Sequence, residues 1–373
     1  MLPRNMLVLA EGQLGDLLLL TPALRALKTT FSDSRISVLI LQRRGGRSPD
    51  SLHPDLVHEA DPRGTAEVLT SRSAVDGVFE LHRDSLRGLK NVQRVRAESG
   101  VIRWLRRQKF DTVVCTFPED RFAVLAYLSG AKLRVGQRRQ NLRWLLNLTP
   151  DIEKRERGVL EYYCDLARAL GAEVDSTATE YAADSEAMDW AKECIAEQCG
   201  EGAVPVVIHP GASGDYKIWP PERFAALVDR LQELDLPVLL CGGHADRDVM
   251  QQVRSGVRHT VPVVVTEGNL QKLAGVFARS ALVVSNDSGP RHLAVAAGAR
   301  TLALFRRHHD REWNVYPETV RCRILRGGED CPACPSGVCA DRIPEGEQYG
   351  SHCIRMITVD HAVAAVLSML TSS

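Results

Sequence analysis

Apolar residues fall along this chain in short runs that end on glycine-bearing turns and lead into segments of helical period. Met6 to Ala10 is an uninterrupted apolar run of the kind buried on both faces of a parallel sheet. Glu11 to Gly15 reads as a turn, Asp16 to Thr29 as a helix with Pro22 inside it, and Ile36 to Leu41 as the next strand. The alternation recurs in a basic helix around Val101 to Gln108, a strand over Thr112 to Thr116, a helix over Arg121 to Leu128 and a short strand near Arg134. After an amphipathic helix at Leu160 to Leu170, the stretch Gly171 to Asp184 is polar, with small residues and no clear period, and is assigned as a linker.

A second series then begins: helix Ser185 to Gln198, strand Val204 to His209, helix Pro221 to Leu234, strand Pro237 to Cys241, strand Ala281 to Ser285, helix Pro290 to Ala297 and strand Thr301 to Phe305. Residues Arg321 to Cys353 break the rhythm with glycine, proline and close cysteines, and Thr358 to Leu370 reads as a closing helix. This punctuation predicts an α/β fold of two Rossmann-like domains, each with a parallel sheet covered by helices, facing one another across a cleft. The expected division is 1–178, 179–355 and a C-terminal helix in 356–373. In such sheets ligands sit beyond the C-terminal ends of the strands, so the turns that follow the strands are where chemistry is sought.

A length of 373 residues agrees with two domains. Lys plus Arg and Asp plus Glu both total 47, so overall charge leaves no nucleic-acid or membrane footprint. The apolar stretch at the N-terminus is interrupted by Glu11 and Asp16, which predicts neither a signal peptide nor a transmembrane helix and places the thiols in a reducing cytosol. Cys115, Cys164, Cys194, Cys199 and Cys241 read as ordinary buried thiols.

Three strand-to-helix turns concentrate polar residues. In the first, Gly15-Asp16 opens a helix, where a carboxylate is favoured by the helix N-terminus; it is either a cap or a general base able to deprotonate a hydroxyl. In the second, Pro210 and Gly211 follow a strand, and Lys217 comes just before Trp219 and Pro220; a lysine on a glycine-containing loop at a helix start suits a pyrophosphate. Trp219 and Phe224 read as packing residues. In the third, Asp287-Ser288-Gly289 joins strand to helix and His292 falls in the first helical turn, where backbone amides would meet a phosphate.

Together these segments resemble glycosyltransferase family 9, the heptosyltransferases. There a Gly-Asp segment followed by Pro-Ala-Leu, a Pro-Gly segment followed by Lys-x-Trp-Pro, and an Asp-Ser/Thr-Gly-x-x-His segment occur in this order. The resemblance spans Met6 to about Val366. It implies the GT-B fold, inversion at the anomeric centre, ADP-heptose as donor and a lipopolysaccharide inner-core acceptor of the Kdo–lipid A type. It also implies Asp16 as base, Lys217 on the pyrophosphate, and Gly211, Asp287, Ser288, Gly289 and His292 as donor contacts. The turn Gly242 to Asp248 corresponds to a family turn, with Gly242 and Asp246 implied near the adenosine ribose. Glu11, Pro290 and Arg291 depart from the family pattern. No catalytic cofactor is implied, because Lys217 and helix-end amides would stand in for a divalent metal.

Between Ser85 and Arg143 there are 14 Lys or Arg against 4 Asp or Glu, an excess of 10. Arg103, Arg106 and Arg107 are either a solvated helical face or, with Gly15, contacts to the phosphates and carboxylates of a lipid-linked glycan at the inner membrane surface. Nucleic acid is disfavoured by the scarcity of interleaved aromatics. Cys331, Cys334, Cys339 and Cys353 give Cys-x2-Cys-x4-Cys-x13-Cys, which is compatible either with a structural metal held by four thiolates or with reduced thiols. The competing functional readings are a GT-B transferase or epimerase using a UDP-sugar, a protein acceptor in place of lipid, or an idle nucleotide-binding module.

Overall fold

The structure, a computed structural model, describes residues 2–42, 57–61, 64–70, 74–82, 91–138, 141–152, 158–307, 310–328 and 346–372. The chain divides into two compact units, Met1–Thr179 and Glu180–Ser373. The polar stretch Gly171 to Asp184 is without helix or strand and contains this division.

In the first unit, β1 (Asn5–Glu11), β2 (Arg35–Gln42), β3 (Val57–Glu59), β4 (Gly77–His82), β5 (Thr112–Cys115) and β6 (Leu133–Val135) form one sheet in the order β3-β4-β2-β1-β5-β6. All pairings are parallel except the edge pair β3 with β4. Central β1 is covered on both faces, so its run of apolar residues has no polar alternation. Helices α1 (Leu14–Thr30), α2 (Glu67–Thr70), α3 (Asn91–Gln108), α4 (Asp120–Leu128) and α5 (Val159–Ala169) complete the unit.

Helix α1 is buried over most of its surface and packs against α5. Pro22 in its interior removes the amide that would bond the Leu18 carbonyl, a loss that ordinarily breaks or kinks a helix. The Thr21 hydroxyl donates to that carbonyl at 2.6 Å, so the orphaned acceptor is satisfied one residue away. The helix therefore continues to Thr30 and keeps Asp16 at its start.

In the second unit, β7 (Val206–His209), β8 (Val238–Gly242), β9 (Val263–Val265), β10 (Leu282–Asn286), β11 (Thr301–Arg306) and β12 (Cys322–Gly327) run in the order β12-β11-β10-β7-β8-β9, all parallel. This is a doubly wound sheet whose strand order reverses between β7 and β10. Its helices are α6 (Ser185–Cys199), α7 (Pro221–Gln232), α8 (Arg247–Gly256), α9 (Leu270–Ala278), α10 (Gly289–Ala296), α11 (Asp310–Trp313) and α12 (Val359–Thr371). The Thr358 side chain caps α12 by accepting from the His361 amide, and Val363, Val366 and Met369 of that helix belong to the same core as Trp219 and Phe224. The closing helix is thus part of the second unit.

Most boundaries lie within about two residues of those read from the pattern. The pattern left β3, β4, β9, α2, α8, α9 and α11 unassigned, and three further features differ. Helix α3 begins ten residues before Val101, because its first half is polar and leaves Val92 and Val95 exposed, which hides the helical period. The stretch read as a break in rhythm holds β12, an edge strand whose Arg323 and Arg326 disguise it. Cys115, Cys164 and Cys241 are buried, whereas Cys194 and Cys199 are only half-buried on α6.

Candidate functional site

In each unit, the polar residues singled out by sequence collect where the sheet changes its winding direction. In the first unit that point lies between β1 and β5. Strand β1 ends on Glu11 and α1 starts at Leu14, so Asp16 occupies the first helical turn beside the strand ends. Gly15 is buried in the same turn. Asp16 is 5% exposed, and the Tyr163 hydroxyl, reaching over from α5, donates to its Oδ1 at 3.0 Å. Burial first, then the charge and hydrogen bond of Asp16, then the charge of Glu11, hold the Tyr163 phenol well above its usual range. Tyr163 therefore stays a neutral donor that orients Asp16. Glu11 is itself buried, so this turn presents two carboxylates.

In the second unit the loops after β7 and β10 come together. Asn286, the last residue of β10, accepts from the Trp219 amide at 2.9 Å and donates to the Pro210 carbonyl at 2.6 Å. One buried side-chain amide thus fixes both ends of the loop that carries Lys217. Trp219 is fully buried, edge-on to Phe224, and its indole N–H donates to the Ile357 carbonyl, so it packs as expected. Held this way, the Lys217 ammonium lies 3.5 Å from Asp287 Oδ2 and 6.0 Å from the centre of the Trp313 ring.

Ser288 is the N-cap of α10, Gly289 its first residue, and the buried Ser288 hydroxyl has no partner among the described residues. A buried orphan hydroxyl beside a helix N-terminus and a lysine is what a phosphate oxygen would satisfy. Further along α10, His292 is buried with Nδ1 3.0 Å from the Tyr316 hydroxyl. Burial, then the Arg291 charge, push His292 down to about 3, with Lys217 adding to the effect and Asp287 opposing it. The imidazole is neutral near pH 7.

Gly242 and Asp246 lie at the end of β8 and in the turn that follows. The Asp246 carboxylate accepts from the Gly243 amide at 2.8 Å and stands 3.4 Å from His209 Nε2. Burial alone would raise this carboxyl, but the charge and hydrogen bond of His209 and the Gly243 amide hold it below the usual range. Gly211 is required here, since a Cβ would collide with the Asp246 carboxylate. Asp246 therefore ties the loop after β7 to the turn after β8.

The remaining candidates are dispersed. Arg103, Arg106 and Arg107 lie exposed on α3, and Arg106 Nε donates to the Leu128 carbonyl at the end of α4. Cys331, Cys334 and Cys339 lie outside the described residues, while Cys353 is buried with its Sγ 3.6 Å from Ser351 Oγ. Among the described residues no group of three or more His, Cys, Asp or Glu is arranged to hold a metal ion, and no helix is long and apolar enough to cross a membrane. Sequence reasoning missed Tyr163, Asn286 and Tyr316. Only Asn286 had a local signal, standing directly before Asp287-Ser288-Gly289.

Two doubly wound units, one with a buried carboxylate and the other with a lysine beside a helix start at the winding reversal, have the GT-B fold. The sequence model of glycosyltransferase family 9 (heptosyltransferase) matches residues 100–340, more than half of the chain, and the protein belongs to that family. It is 24% identical to lipopolysaccharide heptosyltransferase 3 of Escherichia coli over 304 residues, covering 78% of this chain and 80% of that one. The fold matches the glycosyl transferase family 9 structure from Veillonella parvula DSM 2008 with a TM-score of 0.74 at 21% identity, covering 99% of this chain and 98% of that one. It also matches the ADP-heptose lps heptosyltransferase II of E. coli with a TM-score of 0.70 at 18% identity, covering 98% of each.

Proposed function

We propose that this glycosyltransferase moves a heptose from ADP-heptose onto a lipopolysaccharide inner-core acceptor, with inversion at the anomeric carbon. The observation that carries the reading is the cradle of Lys217, Asp287 and the start of α10, whose ammonium, amides and orphan Ser288 hydroxyl are complementary to a diphosphate. The names of the relatives, which transfer heptose and in one case use ADP-heptose, supply the sugar and the acceptor class.

In this mechanism the acceptor hydroxyl attacks the anomeric carbon while the bond from that carbon to the diphosphate breaks, and the electron pair leaves with ADP. Asp16 takes the acceptor's proton, held in orientation by Tyr163. Negative charge develops on the departing diphosphate and is met by Lys217 and the α10 amides, which supply from the chain what a divalent cation would otherwise supply. Gly211 and Gly242 let backbone approach the nucleotide closely, and Asp246 holds their two turns together as well as facing the ribose. Arg103 and Arg107 are assigned to the anionic groups of the acceptor at the membrane surface of the cytoplasm.

The test is ADP release by purified protein given ADP-heptose and Kdo–lipid A. Turnover in the wild type that collapses in Asp16→Asn and Lys217→Ala is the expected result. Release of UDP from a UDP-sugar, with none from ADP-heptose, would overturn the donor assignment.

A further inference from the structure

Arg291 is the most deeply buried cation among the described residues of the second unit, at 0% exposure, and it stands one residue before His292 on α10. Burying a guanidinium is costly unless its donors and its face are engaged. Here it lies against two rings: its carbon is 4.6 Å from the centre of the Phe305 ring and 5.3 Å from that of Tyr316. Two donors reach one short segment, the first bonding the Trp313 carbonyl at 3.3 Å and the second the Asn314 Oδ1 at 2.9 Å. Every one of these partners except Phe305 lies between residues 313 and 316.

That segment is not remote from the phosphate cradle. Its first member, Trp313, presents its ring to the Lys217 ammonium at 6.0 Å, and its last, Tyr316, meets His292 Nδ1 at 3.0 Å. A planar, forked cation that stacks on Tyr316 while bonding the backbone of Trp313 fixes both contacts at once.

We propose that Arg291 is a positioning residue for the donor site: it clamps residues 313–316 to α10, so that Trp313 confines the Lys217 ammonium and the Tyr316 hydroxyl, donating to Nδ1, leaves the His292 proton on Nε2. This rests on the nucleotide-sugar reading of the cradle. Lysine cannot replace the arginine, because a single ammonium neither stacks its face on a ring nor bonds two acceptors in a fixed fork. Loosening the clamp shifts groups that must meet a diphosphate, and a displacement on the order of 1 Å lowers catalysis by up to about a hundredfold.

The experiment measures ADP binding by calorimetry and steady-state kinetics in both substrates for the wild type, Arg291→Lys, Asn314→Ala and Tyr316→Phe. Arg291→Lys is expected to weaken ADP binding and raise the donor KM by about tenfold or more, with the acceptor KM unchanged. Asn314→Ala should move the same two quantities less, and Tyr316→Phe, which keeps the stack but removes the hydroxyl, should lower kcat. A residue that only held the fold would reduce the active fraction and lower kcat with both KM values intact, and that result would overturn the proposal. Should Arg291→Lys fail to fold, an ADP affinity and donor KM for Asn314→Ala equal to wild type, together with an unchanged kcat for Tyr316→Phe, would overturn it equally. Wild-type protein that binds no ADP overturns the nucleotide reading itself, and the clamp with it.

Discussion

The two units place polar groups at the same topological position and give them opposite chemistry. At the winding reversal of the first sheet, buried carboxylates, Asp16 and Glu11, face a neutral tyrosine held well above its usual pKa. At that of the second, a lysine pairs with Asp287 beside the start of a helix and an orphan hydroxyl, and the neighbouring histidine is kept neutral. In the proposed reaction the first site takes a proton and the second holds negative charge. The sheet order supplies the place and the side chains alone decide the chemistry.

The largest effects come from crossing the two. Asp16→Asn keeps the shape and the Tyr163 contact but removes the base, and should lower kcat by about 10²–10⁴-fold with ADP affinity unchanged. Lys217→Ala should lower kcat by about 10²–10³-fold and weaken ADP binding as well. Calorimetry with ADP alongside turnover separates them, and an Asp16→Asn that loses ADP affinity would erase the division of labour.

The next effect tests rigidity in the second unit. Gly211→Ala drives a methyl group into the Asp246 carboxylate, and should cost about 1–3 kcal/mol of stability by strain while raising the donor KM. Denaturant midpoints measure the first quantity. A donor KM equal to wild type would show that the Gly211 turn does not touch the nucleotide.

Acid should then weaken the second unit through His292. Its folded pKa, about 3, lies below the ordinary value of 6.5, so between these limits the unfolded chain binds a proton that the folded one refuses. The contribution is complete above 6.5 and is lost as pH falls toward 3. Between pH 7 and pH 5 the loss for this one group should be about 2 kcal/mol, and His292→Gln should flatten that part of the pH profile. Asp246 is also lowered, here because its charged form is favoured, so its contribution is complete above the ordinary carboxylate value and is lost as pH falls from there through the lowered one.

The division into two α/β units and the three polar turns were legible in the sequence because buried parallel strands, glycine turns and helix starts are local signals. What was not legible depends on distant partners. Tyr163 reaches Asp16 across 147 residues, Asn286 fixes Trp219 across 67, and Tyr316 meets His292 across 24. Sequence spacing carries no trace of such contacts. Strand β12 and the first half of α3 were hidden for another reason, since edge strands and solvated helices carry charge where the period would be read. Arg291 stood out in the sequence, but its meaning required seeing the two rings it lies against.

The smallest expected effect divides the basic stretch of the first unit, whose arginines look alike in sequence. Arg103 and Arg107 are exposed on α3, whereas Arg106 Nε bonds the Leu128 carbonyl at the C-terminus of α4. The last carbonyls of a helix lack partners within it and are favoured by a nearby cation. Arg106→Ala should therefore lower stability by about 0.5–1.5 kcal/mol, read as a denaturant midpoint, with substrate affinities unchanged. Arg103→Ala and Arg107→Ala should leave stability within about 0.5 kcal/mol of wild type and instead raise the acceptor KM, increasingly so at low salt, where exposed charges are least screened. If all three variants shift the acceptor KM alike, Arg106 too contacts the acceptor, and its bond to α4 adds little; if none does, the stretch is a solvated face and the acceptor's charges are met elsewhere.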